Sequence, residues 1–286
     1  MKSLRYFLEF IIIKFLFLIF NFIGFTNSSK LGGFIGVNLG PLFRNKERIE
    51  ENLQLSKIGK DYNERKKIVK NMWRNYGRIF AEYPHIKNFR NDKLSKNLII
   101  NGQEILNKVI EKKKRVIFIS GHFNNFELMA MHIEKSGINL AAIYRPLNNF
   151  FLNKTMENIR KSYICKKQVK KGKSGVREII KLLSDNYSIA LMIDQRVSEG
   201  IKSKFFFRDA FTTTIPAQLV KKYKLEVVPV YIEREHQKFK IYYNEPVKFS
   251  QDDSIEKITE HLNKILEKMI IKNPDQWIWS HNRWKL

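Results

Sequence analysis

In Val116-Ile-Phe-Ile-Ser-Gly-His122-Phe-Asn-Asn-Phe-Glu127, an apolar run ends in glycine, and a histidine is followed five residues later by a glutamate. The run reads as a buried strand, and Gly121 permits a sharp turn after it. A neutral imidazole just past a strand end can take a proton from a substrate hydroxyl near neutral pH. It needs a carboxylate to fix its tautomer and steady the imidazolium. On one continuous helix, positions five apart lie about 140° apart around the axis. His122 is therefore expected in the strand-to-helix turn, with Glu127 in the first turn of the next helix, reaching back. The competing reading is structural: carboxylates favour helix N-termini, here behind an Asn124 or Asn125 cap.

The elements that must position these groups alternate along the chain. Candidate strands are Arg115–Ser120, Leu140–Tyr144, Ile189–Ile193, Val227–Ile232 and Phe239–Tyr242. Candidate helices are Asn125–Ser136, Asn148–Tyr163, Gly175–Ser184, Thr214–Lys222 and Ser254–Ile271, with a short one opening at Asn101-Gly102. Upstream, residues 44–84 read as helical, with Ile68, Met72, Tyr76 and Ile79 at helical spacing and Pro84 ending the run. The alternation predicts an α/β domain with a mixed, mainly parallel central sheet flanked by helices. The last two strands are expected as an antiparallel hairpin at one edge. Ligands of open α/β sheets sit at the carboxyl ends of the strands. The polar residues there are His122 with Glu127, then Arg145-Pro146, then Asp194-Gln195-Arg196.

Taken in order, these segments resemble the late acyltransferases of lipid A biosynthesis, the lauroyl/myristoyl acyltransferases of the glycerolipid acyltransferase superfamily. The resemblance is carried by Gly121-His-Phe-Asn-Asn-Phe-Glu127, Ile143-Tyr-Arg145-Pro146 and Gly172-Lys-Ser-Gly-Val-Arg177. It continues through Ala190-Leu-Met-Ile-Asp194-Gln195, Phe205-Phe-Phe, Thr214-Ile-Pro216-Ala217 and Val228-Pro229-Val230 to Asn273-Pro-Asp-Gln-Trp277-Ile-Trp279-Ser-His281-Asn-Arg283-Trp284-Lys285. It covers the whole chain. The family usually has Gly at position 124 and Trp at 126, where this chain has Asn124 and Phe126; Arg208 stands where Gly is common. The resemblance implies transfer of an acyl chain from an acyl-thioester, usually on acyl carrier protein, to a hydroxyl of a lipid A precursor. It implies His122 as base, Glu127 as its orienting carboxylate, and no cofactor or metal. For the oxyanion, Arg160 is the first candidate and Arg145 the second. Asp194 is expected to orient a neighbouring arginine or backbone, and Gln195, Lys173 and Arg177 join Arg145 and Asp194 as substrate-binding candidates. Cys165, the only cysteine, sits in a lysine-rich run without a neighbouring histidine, so an acyl-cysteine intermediate is disfavoured.

Phe7 to Phe25 is almost wholly apolar, broken by Glu9, Lys14 and Asn21. Its length approaches the ~20 residues that span a bilayer. Lys14 at the centre would cost about 2.5–3.5 kcal/mol, less if it snorkels from a tilted or interfacial helix. We expect a membrane anchor over residues 1–26 and an acyltransferase domain over 27–286. The family points to the inner membrane with the catalytic domain on its cytoplasmic side. Leu31 to Phe43, with four glycines and Pro41, is too short to span. The net charge is +25, which suits anionic partners: acyl carrier protein, the lipid A precursor or anionic inner-membrane lipids. Lys166, Lys167, Lys170, Lys171 and Lys173 form a dense basic patch in an expected loop. Nucleic acid is not expected, because a basic tethering protein would not need an ordered set of strand-end polar residues. The acceptor could otherwise be a lysophospholipid, an amino-acid lipid or a glycolipid. Trp277, Trp279 and Trp284 suit either a membrane interface or packing of a docked tail, the latter favoured by Ile278 and Pro274.

Overall fold

Val116–Ser120 is built of β-branched, aromatic and small residues, and all five are buried in the computed structural model, which describes residues 2–285 except for the side chain of Lys173. This strand, β2, lies at the centre of a seven-stranded sheet. Before it come helices α1 (Lys2–Leu39), α2 (Lys46–Leu55), α3 (Tyr62–Glu82) and α4 (Ile86–Arg90), strand β1 (Leu98–Asn101) and helix α5 (Gln103–Glu111). After it come α6 (Glu127–Lys135), β3 (Leu140–Tyr144), α7 (Phe150–Ile159), β4 (Lys167–Lys170), α8 (Lys173–Ser184) and β5 (Ser188–Met192). A small hairpin, β6 (Ile201–Phe205) and β7 (Arg208–Thr212), precedes α9 (Ile215–Tyr223), β8 (Glu226–Glu235), β9 (Lys238–Tyr243) and α10 (Ile255–Lys272). The sheet order is β1-β9-β8-β2-β5-β3-β4, parallel throughout except for β8 against β9. The expected α/β class and mainly parallel sheet are therefore present.

Two expectations change. The β8–β9 hairpin is antiparallel but not at the edge, because β1 pairs in parallel outside it, Leu98 opposite Phe239. Four residues are too few to show a period, so β1 is silent in the sequence. The lysine run is no loop: Lys167–Lys170 forms β4 and pairs with β3. Leu31–Leu39, too short to span, belongs to the domain. It continues α1 and packs against α3 through Gly32, Gly36 and Gly77, where an added Cβ would collide with Gly77, the Trp73 backbone and Gly32 respectively. Glycine alone lets two helix backbones come this close.

Helix α1 is broken at Gly24 (φ 77°, ψ 166°), a backbone region that essentially only glycine occupies. The break orphans carbonyls of the preceding turn. Ser28 Oγ lies within hydrogen-bonding distance of the carbonyls of Phe20 (2.6 Å) and Gly24 (2.7 Å), and His85 Nε2 is 3.1 Å from that of Phe20. Below the break, Ser29 Oγ donates to the buried Glu82, which accepts two hydrogen bonds from Arg234 at 2.7 Å. This set ties α1, α3 and β8 together.

Candidate active site

His122 sits in the turn between β2 and α6, where it was expected. Its Nδ1 is 2.8 Å from Asp194 Oδ1, and its backbone N–H donates to Asp194 Oδ2 at 2.8 Å. Asp194 follows β5, the parallel neighbour of β2, so the two strand ends bring the pair together. Trp277 Nε1 donates a third hydrogen bond, 2.9 Å to Asp194 Oδ2. The carboxylate side chain is 0% exposed, while the imidazole keeps 24% of its surface open. Burial alone would push the Asp194 carboxyl up, but the facing imidazole and these three donors hold it down at about 2. Burial likewise works against an imidazolium at His122. The Asp194 charge and hydrogen bond, with a smaller pull from Glu127, outweigh it, so the His122 pKa is raised. An ionised acceptor at Nδ1 keeps that nitrogen protonated and leaves Nε2 with the lone pair.

The carboxylate that orients His122 is thus Asp194, which corrects the expectation that Glu127 does so. Glu127 Oε1 is taken by Arg160, 2.8 Å from Nε and 2.7 Å from the terminal Nη2. Glu127 opens α6 and Arg160 opens a π turn, Arg160–Ile164, that continues α7. The pair is mostly buried; burial works against the Arg160 charge, but Glu127 by charge and hydrogen bond, together with Tyr83, outweighs it and raises the Arg160 pKa. Tyr144 offers its ring to the guanidinium at 5.7 Å. Asp194 does bind backbone, as expected, but its grip on the imidazole ring is the larger finding.

The loop between His122 and Glu127 is held by a distant part of the chain. Asn124 has a positive φ (45°), donates its backbone N–H to the Gln276 carbonyl, and donates Nδ2 to Gln276 Oε1 at 2.7 Å. Asparagine tolerates this left-handed conformation better than other L-residues bearing a side chain. That explains how it stands where glycine is usual. Phe126 lays its ring edge-to-face on His122, centroids 4.9 Å apart.

The other candidates are dispersed. Arg145, exposed after β3, lies near enough to Lys171 to disfavour its charge, though burial disfavours it more. Gln195 follows Asp194 and is half-buried, and Arg177 is exposed on α8. The side chain of Lys173 lies outside the described residues. The basic patch is partly neutralised: Lys167 pairs with Glu178 and Lys170 with Glu157. Cys165 is buried beside the Leu140 carbonyl, and burial pushes its thiol up to about 12, so it supplies no thiolate. Phe205 fills core against Trp277 and Trp284. All three tail tryptophans are buried, as the docked-tail reading expects. What sequence reasoning missed is that Trp277 and Gln276 also reach the site. The polar pair Asp275-Gln276 directly before a tryptophan was the signal available.

Over residues 1–286 the chain matches the family described as bacterial lipid A biosynthesis acyltransferase. It belongs to that family. The acyltransferase is 22% identical over 265 residues to the lipid A biosynthesis palmitoleoyltransferase of Escherichia coli strain K12, covering 89% of this chain and 84% of that one. It is 23% identical over 256 residues to lipid A biosynthesis acyltransferase 2 of Shigella flexneri, covering 86% of this chain and 79% of the relative. The His122–Asp194 pair and the Glu127–Arg160 pair are therefore features of a lipid A acyltransferase.

Proposed function

We propose that this acyltransferase moves a fatty acyl chain, lauroyl or myristoyl, from acyl carrier protein to a hydroxyl of a lipid A precursor, with His122 as general base. The observation that carries the mechanism is the double grip of Asp194 on His122. The lone pair at Nε2 takes the proton of the acceptor hydroxyl as its oxygen attacks the thioester carbonyl carbon. Asp194 stabilises the imidazolium so formed. Negative charge gathers on the former carbonyl oxygen, where Arg160, locked by Glu127, supplies fixed positive charge. Collapse of the tetrahedral species breaks the C–S bond, and the imidazolium returns its proton to the departing thiolate. Glu127 thus acts through Arg160 and not on the imidazole tautomer.

Membrane residence is supported by the first half of α1. Tyr6, Glu9, Phe10, Phe17 and Phe20 face the protein, with Phe10 against Phe151 and Phe17 against Tyr83. Leu4, Leu8, Ile11, Ile12, Phe15, Leu18 and Phe22 are exposed on the other side. A helix with one apolar face on its own domain and a second one outward suits an anchor that holds the site against the cytoplasmic leaflet of the inner membrane. The test is to incubate membranes holding the protein with acyl carrier proteins bearing different chains and a tetra-acylated lipid A precursor. An added acyl mass is expected. No product with any chain, beside a working control enzyme, would sink the reading.

A further inference from the structure

The second half of α1 and the outer face of α3 enclose a cleft of about 520 Å³ whose lining includes four cations and no carboxylate: Lys30, Lys70, Arg74 and Arg78. Lys70, Arg74 and Arg78 are spaced by four on α3 and share one face. The stems of Arg74 and Arg78 lie over Gly33 so closely that an added Cβ there would stand 3.1 Å from each. The Arg78 head is fixed, donating Nε to Ser29 Oγ at 2.8 Å and a terminal N–H to the His236 carbonyl at 2.6 Å. Glu82 comes within 3.9 Å of it, but both Glu82 oxygens are already bonded to Arg234. Burial and then repulsion from Arg234 bring the Arg78 pKa down to about 10, so an anion here would be welcome. On the opposite wall stand Val37 and Phe34, the latter 69% exposed, beside the outward apolar residues Leu31 and Leu39.

The cleft is separate from the reaction site. Tyr76 lies about 160° around α3 from both Arg74 and Arg78, and it is on Tyr76 that the Asp194 charge acts. The body of α3 therefore stands between cleft and His122. Three cations on the α3 wall, and exposed aliphatic and aromatic surface beside Lys30 on the α1 wall, fit a phosphate carried by an acyl chain. An acidic protein would match the charge but leave the apolar wall unexplained. Resting on the membrane reading above, we propose that this cleft seats the phosphate headgroup of an anionic membrane lipid and so fixes how the enzyme lies on the bilayer.

The full-length protein in a neutral detergent is titrated calorimetrically with dioctanoyl phosphatidic acid and, separately, with inorganic phosphate. The lipid is expected to bind at least tenfold more tightly than free phosphate. The pair Lys70→Gln with Arg74→Gln, and Lys30→Gln alone on the other wall, should each weaken it about tenfold, which is about 1.4 kcal/mol. The charge-matched pair Lys202→Gln with Lys268→Gln should leave it unchanged. Circular dichroism checks folding, and the Lys30 variant keeps the test open if the double variant does not fold. Undiminished lipid binding in the cleft variants would overturn the proposal. So would equal affinity for inorganic phosphate, or loss of binding to purified acyl carrier protein with lipid binding retained. The titration involves no acyl transfer, so an inactive enzyme would sink the catalytic reading and leave this one standing.

Discussion

At the scale of single residues, the site divides its two acids between two tasks. Asp194 serves the base and Glu127 serves the cation. Asp194→Asn should cut kcat/KM by ~10²–10⁴-fold, because the amide can neither fix the Nδ1–H tautomer nor stabilise the imidazolium. In the unaltered enzyme the base works only when neutral, and its pKa is raised. Activity should therefore fall with pH along a limb centred above the ordinary histidine value, and in Asp194→Asn that limb should move to lower pH. A pH–rate profile that does not move would show that Asp194 does not act on His122. Arg160→Ala should cost ~10²–10³-fold in kcat, the scale of losing one oxyanion donor. Glu127→Gln should then add little in the Arg160→Ala background, since both changes disturb one unit. Additive losses in that double-mutant cycle would separate the two residues. Trp277→Phe keeps an aromatic ring and removes one donor to a buried carboxylate. It should lower stability by ~1.5–3 kcal/mol in urea unfolding.

At the scale of elements, the close passage of α1 over α3 decides more than helix propensity does. Alanine is normally better than glycine in a helix by about 1 kcal/mol. At Gly77 the sign should reverse, because the methyl would meet the Gly32 backbone, which cannot rotate away. Gly77→Ala is expected to destabilise by ~1–3 kcal/mol in thermal unfolding, the range for overpacking. A more stable variant would mean that the helices can move apart. The same passage sets the depth of the basic cleft and brings Tyr83, at the end of α3, to the Arg160 side of the site.

At the scale of the whole molecule, an exposed apolar face on α1 and an excess of positive charge belong to one surface problem. Leu8→Glu with Phe15→Glu changes exposed residues only, so folding should persist while partition to vesicles drops at least ~100-fold. Burial of each side chain contributes ~1.5–3 kcal/mol. Vesicle co-sedimentation reads this directly, and unchanged pelleting would place the membrane contact elsewhere.

Much of the molecule was open to reading from residue order alone. The expected limits of β3 are the observed ones, and those of β2, β5, β8 and β9 lie within a few residues, because apolar runs are local signals. His122 was found because glycine after a buried strand marks a turn. The partnership of His122 was not readable. Glu127 is five residues away and Asp194 is 72, so sequence proximity favours the wrong carboxylate. Parallel pairing of β2 with β5 puts the distant one on the ring, and the π turn delivers Arg160 to the near one. The tail shows the same division. Its tryptophans announced burial by their own chemistry, but only the folded chain brings Trp277 to Asp194 and Gln276 to Asn124. Residue order sufficed for most of the elements, though not for β1 or β4, and for the charge, the apolar N-terminus and the family resemblance. The tertiary structure alone decided which acid meets which base and where the positive charge collects, because those contacts join segments that no local rule connects.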